Sequence, residues 1–180
     1  MTRDDVISET YLAEQVRLHA APKGYGGRGD KWRFAVISLA TQFAAETILD
    51  YGCGQGTLGV AVRALSGRTV VDYDPARPGL DALPAPADLV VCTDVLEHIE
   101  PDRLDAVLAH LRELTQIALF AVVATRPASK FLSDGRNAHL FIKDAAWWTR
   151  PITSHGFRSV APVPRSPLKK PSREVVLVLQ

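Results

Sequence analysis

Cysteine is scarce, with Cys53 and Cys92 the only two in 180 residues. Neither belongs to a spaced Cys/His set, which excludes a thiolate zinc site and a disulfide-stapled scaffold. Both lie in glycine-rich or apolar surroundings, so reduced thiols in a cytoplasmic protein are expected. Long apolar runs are missing too; the longest are of strand length, far short of the roughly 20 residues that a membrane span needs. The N-terminus, M-T-R-D-D-V, carries acids where a signal peptide has a basic and then an apolar region. Nor is there a surplus of one charge. A net charge of +1 gives no global attraction to nucleic acid or anionic lipid, so such a partner would need a local patch. There is no internal repeat and no low-complexity linker. What is present, 47% hydrophobic and 23% charged residues, is the balance of one soluble globular domain.

Periodicity divides that domain into alternating elements. Residues 3–20 have helical spacing, with Val6, Ile7, Tyr11, Leu12 and Val16 on one face. A glycine-rich loop follows, and Asp30 can cap a helix carrying Trp32, Ala35, Val36, Leu39 and Phe43. Residues 1–46 thus read as N-terminal helices and a loop, and 47–180 as the core. Strands are expected at Thr47–Tyr51, Arg68–Tyr73, Asp88–Thr93 and Ile117–Ala124. Their apolar runs are continuous rather than alternating, as in strands covered on both faces. Pro101 suits the first turn of a helix that places Leu104, Val107, Leu108, Leu111 and Leu114 at intervals of three and four. A late helix is expected over Lys143–His155 with Gly156 at its end, then closing strands at Phe157–Val163 and Glu174–Leu179. The pattern implies an α/β, doubly wound, mostly parallel sheet with an antiparallel C-terminal pair.

The chemistry gathers at Ile48–Leu58, I-L-D-Y-G-C-G-Q-G-T-L. Gly52, Gly54 and Gly56 follow the first strand at alternate positions, letting the chain turn sharply and a ligand approach the main chain without meeting a Cβ. The next helix aims its first N–H groups at the same place. Asp72 closes the second strand 22 residues after Asp50, where a carboxylate can accept ribose hydroxyls. A nucleoside cofactor fits this pattern. The nicotinamide fingerprint G-x-G-x-x-G does not, because the turn reads G-C-G-Q-G.

D-Y-G-C-G-Q-G resembles the D-x-G-C-G-x-G signature of class I S-adenosylmethionine-dependent methyltransferases. D-L-V-V-C-T-D-V-L-E-H-I is similar to their fourth-strand segment, and H-L-F-I-K-D-A-A-W-W…H-G-F to their late helix. The resemblance runs from Thr47 to the C-terminus. It implies a Rossmann-like fold, S-adenosyl-L-methionine as cofactor, and methyl transfer to oxygen or nitrogen of a small-molecule acceptor. It implies Asp50, Tyr51, Gly52, Cys53, Gly54 and Gly56 around the methionine part of the cofactor. It further implies Asp72 on the ribose, Tyr73 and Asp81 at the adenine, and Asp94 beside the cofactor. The chain departs from the family between Asp72 and Asp88, where four prolines and a shortened stretch exclude the usual helix and reduce the edge strand to a loop.

Asp94, His98 and His139 are the candidate catalytic residues, because a hydroxyl acceptor needs a base and imidazole titrates near neutrality. Anchoring of the following turn by Glu97 and His98 is the alternative. Asp94, Glu97, His98 and His139 also resemble the E-x-x-E-H…H arrangement of small-RNA terminal 2′-O-methyltransferases, which implies a divalent cation and a nucleic-acid substrate as a second possibility. A third is a non-catalytic cofactor-binding or partner-binding module. Arg126 and the segment Ser133–His139 are placed for acceptor recognition, Lys23–Lys31 for a lid, and Trp147 and Trp148 mainly for the core. Arg165, Lys169, Lys170 and Arg173 read as a solvated basic connection.

Overall fold

A computed structural model describes residues 1–21, 25–158 and 174–180. Five strands form one sheet: β1 (Thr47–Tyr51), β2 (Thr69–Tyr73), β3 (Ala87–Thr93), β4 (Thr115–Ala124) and β5 (Glu174–Leu179), in the order β2-β1-β3-β4-β5. The first four are parallel, and β5 runs antiparallel to β4. Strand order reverses between β1 and β3, and in such sheets ligands bind beyond the carboxyl ends at that point.

Continuous apolar strands follow from cover on both faces. Ile48, Leu89, Val91, Phe120 and Val122 turn towards α3 (Arg33–Gln42) and α4 (Thr57–Ser66), meeting Val36, Ala40, Leu58 and Val62. Leu49, Val90, Cys92, Leu119 and Ala121 turn the other way, towards α5 (Leu104–Leu114) and α6 (Ala145–Ser154). Trp148 of α6 is fully buried there. Phe120 sits mid-sheet under the Trp32 ring, centroids 5.7 Å apart. Phe120→Ala should therefore cost about 3–5 kcal/mol in urea unfolding, as large-to-small core changes do; a loss under 1 kcal/mol would contradict this packing.

Three element boundaries differ from the sequence reading. The N-terminal helix is two, α1 (Arg3–Val6) and α2 (Glu9–His19), because Ser8 takes an extended conformation and caps α2, accepting the Tyr11 N–H at 3.2 Å. The same serine donates its N–H and hydroxyl to Glu100, at 2.9 and 2.6 Å, tying the N-terminus to the core. Pro101 lies in a turn ahead of α5, since the Arg103 N–H closes on the Glu100 carbonyl at 2.9 Å before the helix begins. α6 begins after Asp144, whose carboxylate accepts the Trp147 N–H at 2.8 Å.

No helix or strand lies between Tyr73 and Ala87. A turn runs there instead, with the Asp74 N–H on the Leu80 carbonyl at 2.9 Å. Among the described residues β2 is therefore the sheet's edge, and its Val71 is 49% exposed. The expected strand Phe157–Val163 lies mostly outside the described residues; within them, Arg158 and Gln180 exchange backbone hydrogen bonds of 2.7 and 3.0 Å. The basic stretch Arg165–Arg173 lies wholly outside them. No helix among the described residues is long and apolar enough to cross a membrane.

Candidate active site

A cavity of about 320 Å³ opens beyond the carboxyl ends of β1, β3 and β4. The glycine turn forms one end. Gly52 and Cys53 donate their N–H groups to the Tyr73 carbonyl at 2.7 and 3.0 Å, which locks the turn onto the end of β2. Gly52 (φ +74°) and Gly54 (φ +54°) have left-handed backbones. A Cβ on Gly52 would fall 2.4 Å from Val95 Cγ2, and one on Gly54 would fall 2.6 Å from the Gly26 carbonyl oxygen. Only glycine fits both places.

The acid facing the cavity from the end of β2 is Asp74. Its carboxylate accepts the Gly54 N–H at 3.0 Å and the Ala76 N–H at 2.9 Å, and His19 Nε2 lies 3.6 Å away. Asp72 points elsewhere. It packs under α4, where a Cβ on Gly59 would sit 2.0 Å from its Oδ1, and it pairs with Arg63 at 2.8 Å. Asp50, Gly52, Cys53, Gly54, Asp94, His98 and His139 line the cavity together; Tyr51, Gly56, Asp72, Tyr73 and Asp81 do not. Tyr51 and Tyr73 point into the α5 side of the core, where Tyr51 meets His110 Nδ1 at 3.1 Å. Asp81 closes its own surface turn by accepting the Gly79 N–H at 3.0 Å.

Asp50 is buried, and its Oδ2 has no hydrogen-bond partner. Burial first, and the charges of Asp72 and Asp74 second, push its pKa up to about 8. The folded state then keeps a proton that the unfolded state loses near pH 4, so stability falls as pH rises from about 4 to about 8. Asp50→Asn should flatten that dependence, with a difference on the order of 3 kcal/mol between pH 5 and 8.5 in urea unfolding. Parallel curves for the two proteins would rule this out.

The other end of the cavity is built from the turn after β3 and the loop after β4. Asp94 holds a left-handed backbone (φ +57°), rare for a residue with a side chain and a form of strain that gathers at functional sites. Its N–H goes to the Val122 carbonyl at 2.9 Å and its carboxylate takes Lys31 Nζ at 2.7 Å. His98 and His139 stand edge to face, centroids 4.6 Å apart. His98 Nδ1 lies 2.7 Å from the Ala138 carbonyl, and His139 Nδ1 lies 2.6 Å from the Arg126 carbonyl. A carbonyl can only accept, so each Nδ1 carries the proton and each Nε2 keeps a lone pair. Burial, with His139 as neighbour, pushes His98 down to about 3, and burial lowers His139 as well. Both imidazoles are neutral at pH 7.

Glu97 is fully buried behind the pair. Its Oε1 accepts the Ala124 N–H at 3.0 Å and its Oε2 has no partner. Burial raises its pKa to about 8. Glu97, His98 and His139 each offer a ligand atom within 4.8 Å of the others; Asp94 is not part of this group.

The N-terminal segment roofs the cavity. The Tyr11 hydroxyl donates to the His98 carbonyl at 2.7 Å, and Glu14 accepts the Ser133 N–H at 2.9 Å from the loop after β4. Tyr25 OH lies 2.9 Å from His98 Nδ1, and the Gly26 carbonyl accepts the Gln55 N–H at 3.0 Å. Of the expected lid Lys23–Lys31, Lys23 and Gly24 lie outside the described residues and 25–29 line the cavity. Arg126 also lines it, whereas Arg136 pairs with Asp134 at 2.6 Å and Asn137 braces its own loop through Ala128.

Sequence reasoning missed Asp74, His19 and Lys130. Asp74 had a signal, since D-Y-D-P places a second acid just beyond the strand, where a side chain is free of sheet alternation. His19 and Lys130 had none, because their neighbours come from distant parts of the chain.

A family profile described as a methyltransferase domain matches residues 28–160. No curated protein matches the chain significantly. Among solved structures, the 1,6-didemethyltoxoflavin-N1-methyltransferase of Burkholderia thailandensis, with 1,6-didemethyltoxoflavin and S-adenosylhomocysteine bound, is similar at TM-score 0.61 and 16% identity over 85% of this chain and 78% of its own. Magnesium protoporphyrin IX methyltransferase from Synechocystis PCC 6803, with S-adenosylhomocysteine bound, is similar at TM-score 0.61 and 16% identity over 95% and 94%. The methyltransferase domain of the bacterial protein CtHen1 is similar at TM-score 0.58 and 15% identity over 83% and 97%. With the glycine turn and the doubly wound sheet in place, the match over residues 28–160 shows that the chain belongs to the methyltransferase-domain family, the class I S-adenosylmethionine-dependent methyltransferases.

Proposed function

We propose that the protein transfers a methyl group from S-adenosylmethionine to an oxygen or nitrogen of a small-molecule acceptor. One observation carries this reading: the glycine turn and a pair of neutral, lone-pair-bearing histidines line a single cavity. The cofactor, when bound, supplies an electrophilic sulfonium methyl group. The residues at the glycine end fit it, since Gly52, Cys53 and Gly54 line the cavity and the buried Asp50 Oδ2 has no hydrogen-bond partner among the described residues. Asp74, in place of Asp72, would hold the ribose hydroxyls, and exposed Arg28 of the roof would meet the methionine carboxylate. Tyr73 and Asp81 have no part in this assignment, as both lie outside the cavity.

At the other end, the Nε2 lone pairs of His98 and His139 are the groups able to take a proton from the acceptor. Each Nδ1–H bond to a main-chain carbonyl fixes the ring and offsets part of the loss of basicity that burial imposes on it. Asp94 is held by Lys31 and would orient rather than abstract. Roofing by α2 and Tyr25 excludes water, so positioning supplies much of the rate. Calorimetric titration with S-adenosylhomocysteine tests the reading first. Saturable 1:1 binding is expected, and its absence would end the reading.

The orphaned Glu97 Oε2 beside two neutral imidazoles favours a second reading, in which a divalent ion such as Mg²⁺ or Mn²⁺ assists. The donor set of one carboxylate and two imidazoles suits such an ion, and its charge would drive Glu97 to release its proton. The ion would lower the acceptor hydroxyl's pKa. The donor set is the one that the likeness to small-RNA 2′-O-methyltransferases implied, less Asp94. Undiminished activity after chelation and metal analysis would exclude it.

A further inference from the structure

The loop after β4 does more than orient two imidazoles. Arg126, whose carbonyl accepts from His139 Nδ1, is itself one of the residues that line the cavity. Lys130 lines it too, and its carbonyl accepts the Ala138 N–H at 3.0 Å, the residue whose carbonyl holds His98. Two cations are thus carried by the backbone that fixes the two imidazoles. Among the described residues neither makes an ion pair or a side-chain hydrogen bond, and the same holds of Arg28 in the roof, the other cation that lines the cavity. Lys31 is neutralised by Asp94, and Arg77 is held by Gln55. The guanidinium of Arg126 also helps to hold His139 neutral, which places its charge close to that ring. The same cavity is lined by the apolar Ile7, Val95, Ile99 and Ala128 and the ring of Tyr11, together with the polar Gln15, Thr93, Asp94 and Ser129.

An unpaired cation at the rim of an apolar cleft is a binding group waiting for an anion. We propose that the methyl acceptor is a small organic acid, its carboxylate held by Arg126 and Lys130 and its apolar body laid between Ile7, Tyr11, Ile99 and Ala128. This rests on the methyl-transfer reading above and names its substrate class. A nucleic-acid strand is disfavoured by a net charge of only +1, which gives no general attraction to a run of phosphates.

The test uses the full chain saturated with S-adenosylhomocysteine, and benzoate against benzamide as probes that share a ring and differ in charge. Ligand-observed NMR should give benzoate an affinity at least about tenfold higher, the effect of one charge-assisted contact. Arg126→Gln with Lys130→Gln should bring benzoate down to the benzamide level while S-adenosylhomocysteine binding persists. Equal affinities for the two probes in the unaltered protein, or no benzoate binding at millimolar concentration, would overturn the proposal even if the double variant failed to fold. Salt-sensitive binding of a short single-stranded RNA, lost in the double variant, would overturn it in favour of a phosphate polymer. Failure of S-adenosylhomocysteine to bind would sink the methyl-transfer reading itself, so the two failures are separable.

Discussion

Asp74→Asn is expected to weaken S-adenosylhomocysteine binding by about 100-fold, and Asp72→Asn to leave it within about twofold. Asp74 hangs at the end of β2, buried, with its oxygens between the Gly54 and Ala76 N–H groups and turned towards the cavity. A carboxylate there accepts hydroxyl donors with the strength of charge-assisted bonds, about 1.5–3 kcal/mol each. The amide keeps one acceptor and aims a second donor at N–H groups that already donate. Asp72 faces α4 and is engaged with Arg63; its side chain is only 12% exposed, so the amide should cost folding stability rather than ligand binding. Calorimetry on both variants decides the matter, with thermal unfolding recorded to separate binding from folding. Lost binding in the Asp72 variant with retention in the Asp74 variant would reverse the assignment.

The second large effect concerns the histidines. His139→Ala and His98→Ala should each lower turnover by about 10²–10⁴-fold, the usual contribution of a positioned base, with cofactor affinity unchanged. The rings share one loop through the Ala138 and Arg126 carbonyls, so their losses should not add: the double variant should be little worse than the worse single one. Single-turnover methylation with labelled S-adenosylmethionine measures this once an acceptor is in hand. Full activity in both single variants would remove the pair from the chemistry. Chelation gives a further division, since a metal-assisted enzyme loses activity with its ion and regains it on adding Mn²⁺, whereas a simple base does not.

Much of this was legible in the sequence. Continuous apolar strands, a glycine turn after Asp50 and the i, i+3, i+4 pattern of α5 all report local geometry, and local geometry is what periodicity encodes. The prolines after Asp72 announced the lost edge strand for the same reason. What could not be read was which way a side chain points where a strand gives way to a turn. Asp72 obeys sheet alternation and so turns under α4, while Asp74, two residues on, escapes it. The meeting of His19 with Asp74, of Glu14 with Ser133, and of Lys130 with the histidine loop depends on how distant segments dock. No spacing in the chain records that.

The edge position of β2 has a thermodynamic consequence. Among the described residues the strand has one neighbour, β1, and its outward amides have no ladder partner. Edge strands open locally at lower free energy than central ones, so β2 should exchange its amide hydrogens well before β3 or β4. Yet Asp74 and the carbonyl that locks the glycine turn both hang from this strand. A ligand that grips Asp74 therefore binds only the closed edge and adds its binding free energy to closure. Amide protection in Thr69–Tyr73 should then rise with cofactor concentration while that of β3 stays level, making the weakest strand of the sheet the one that reports occupancy.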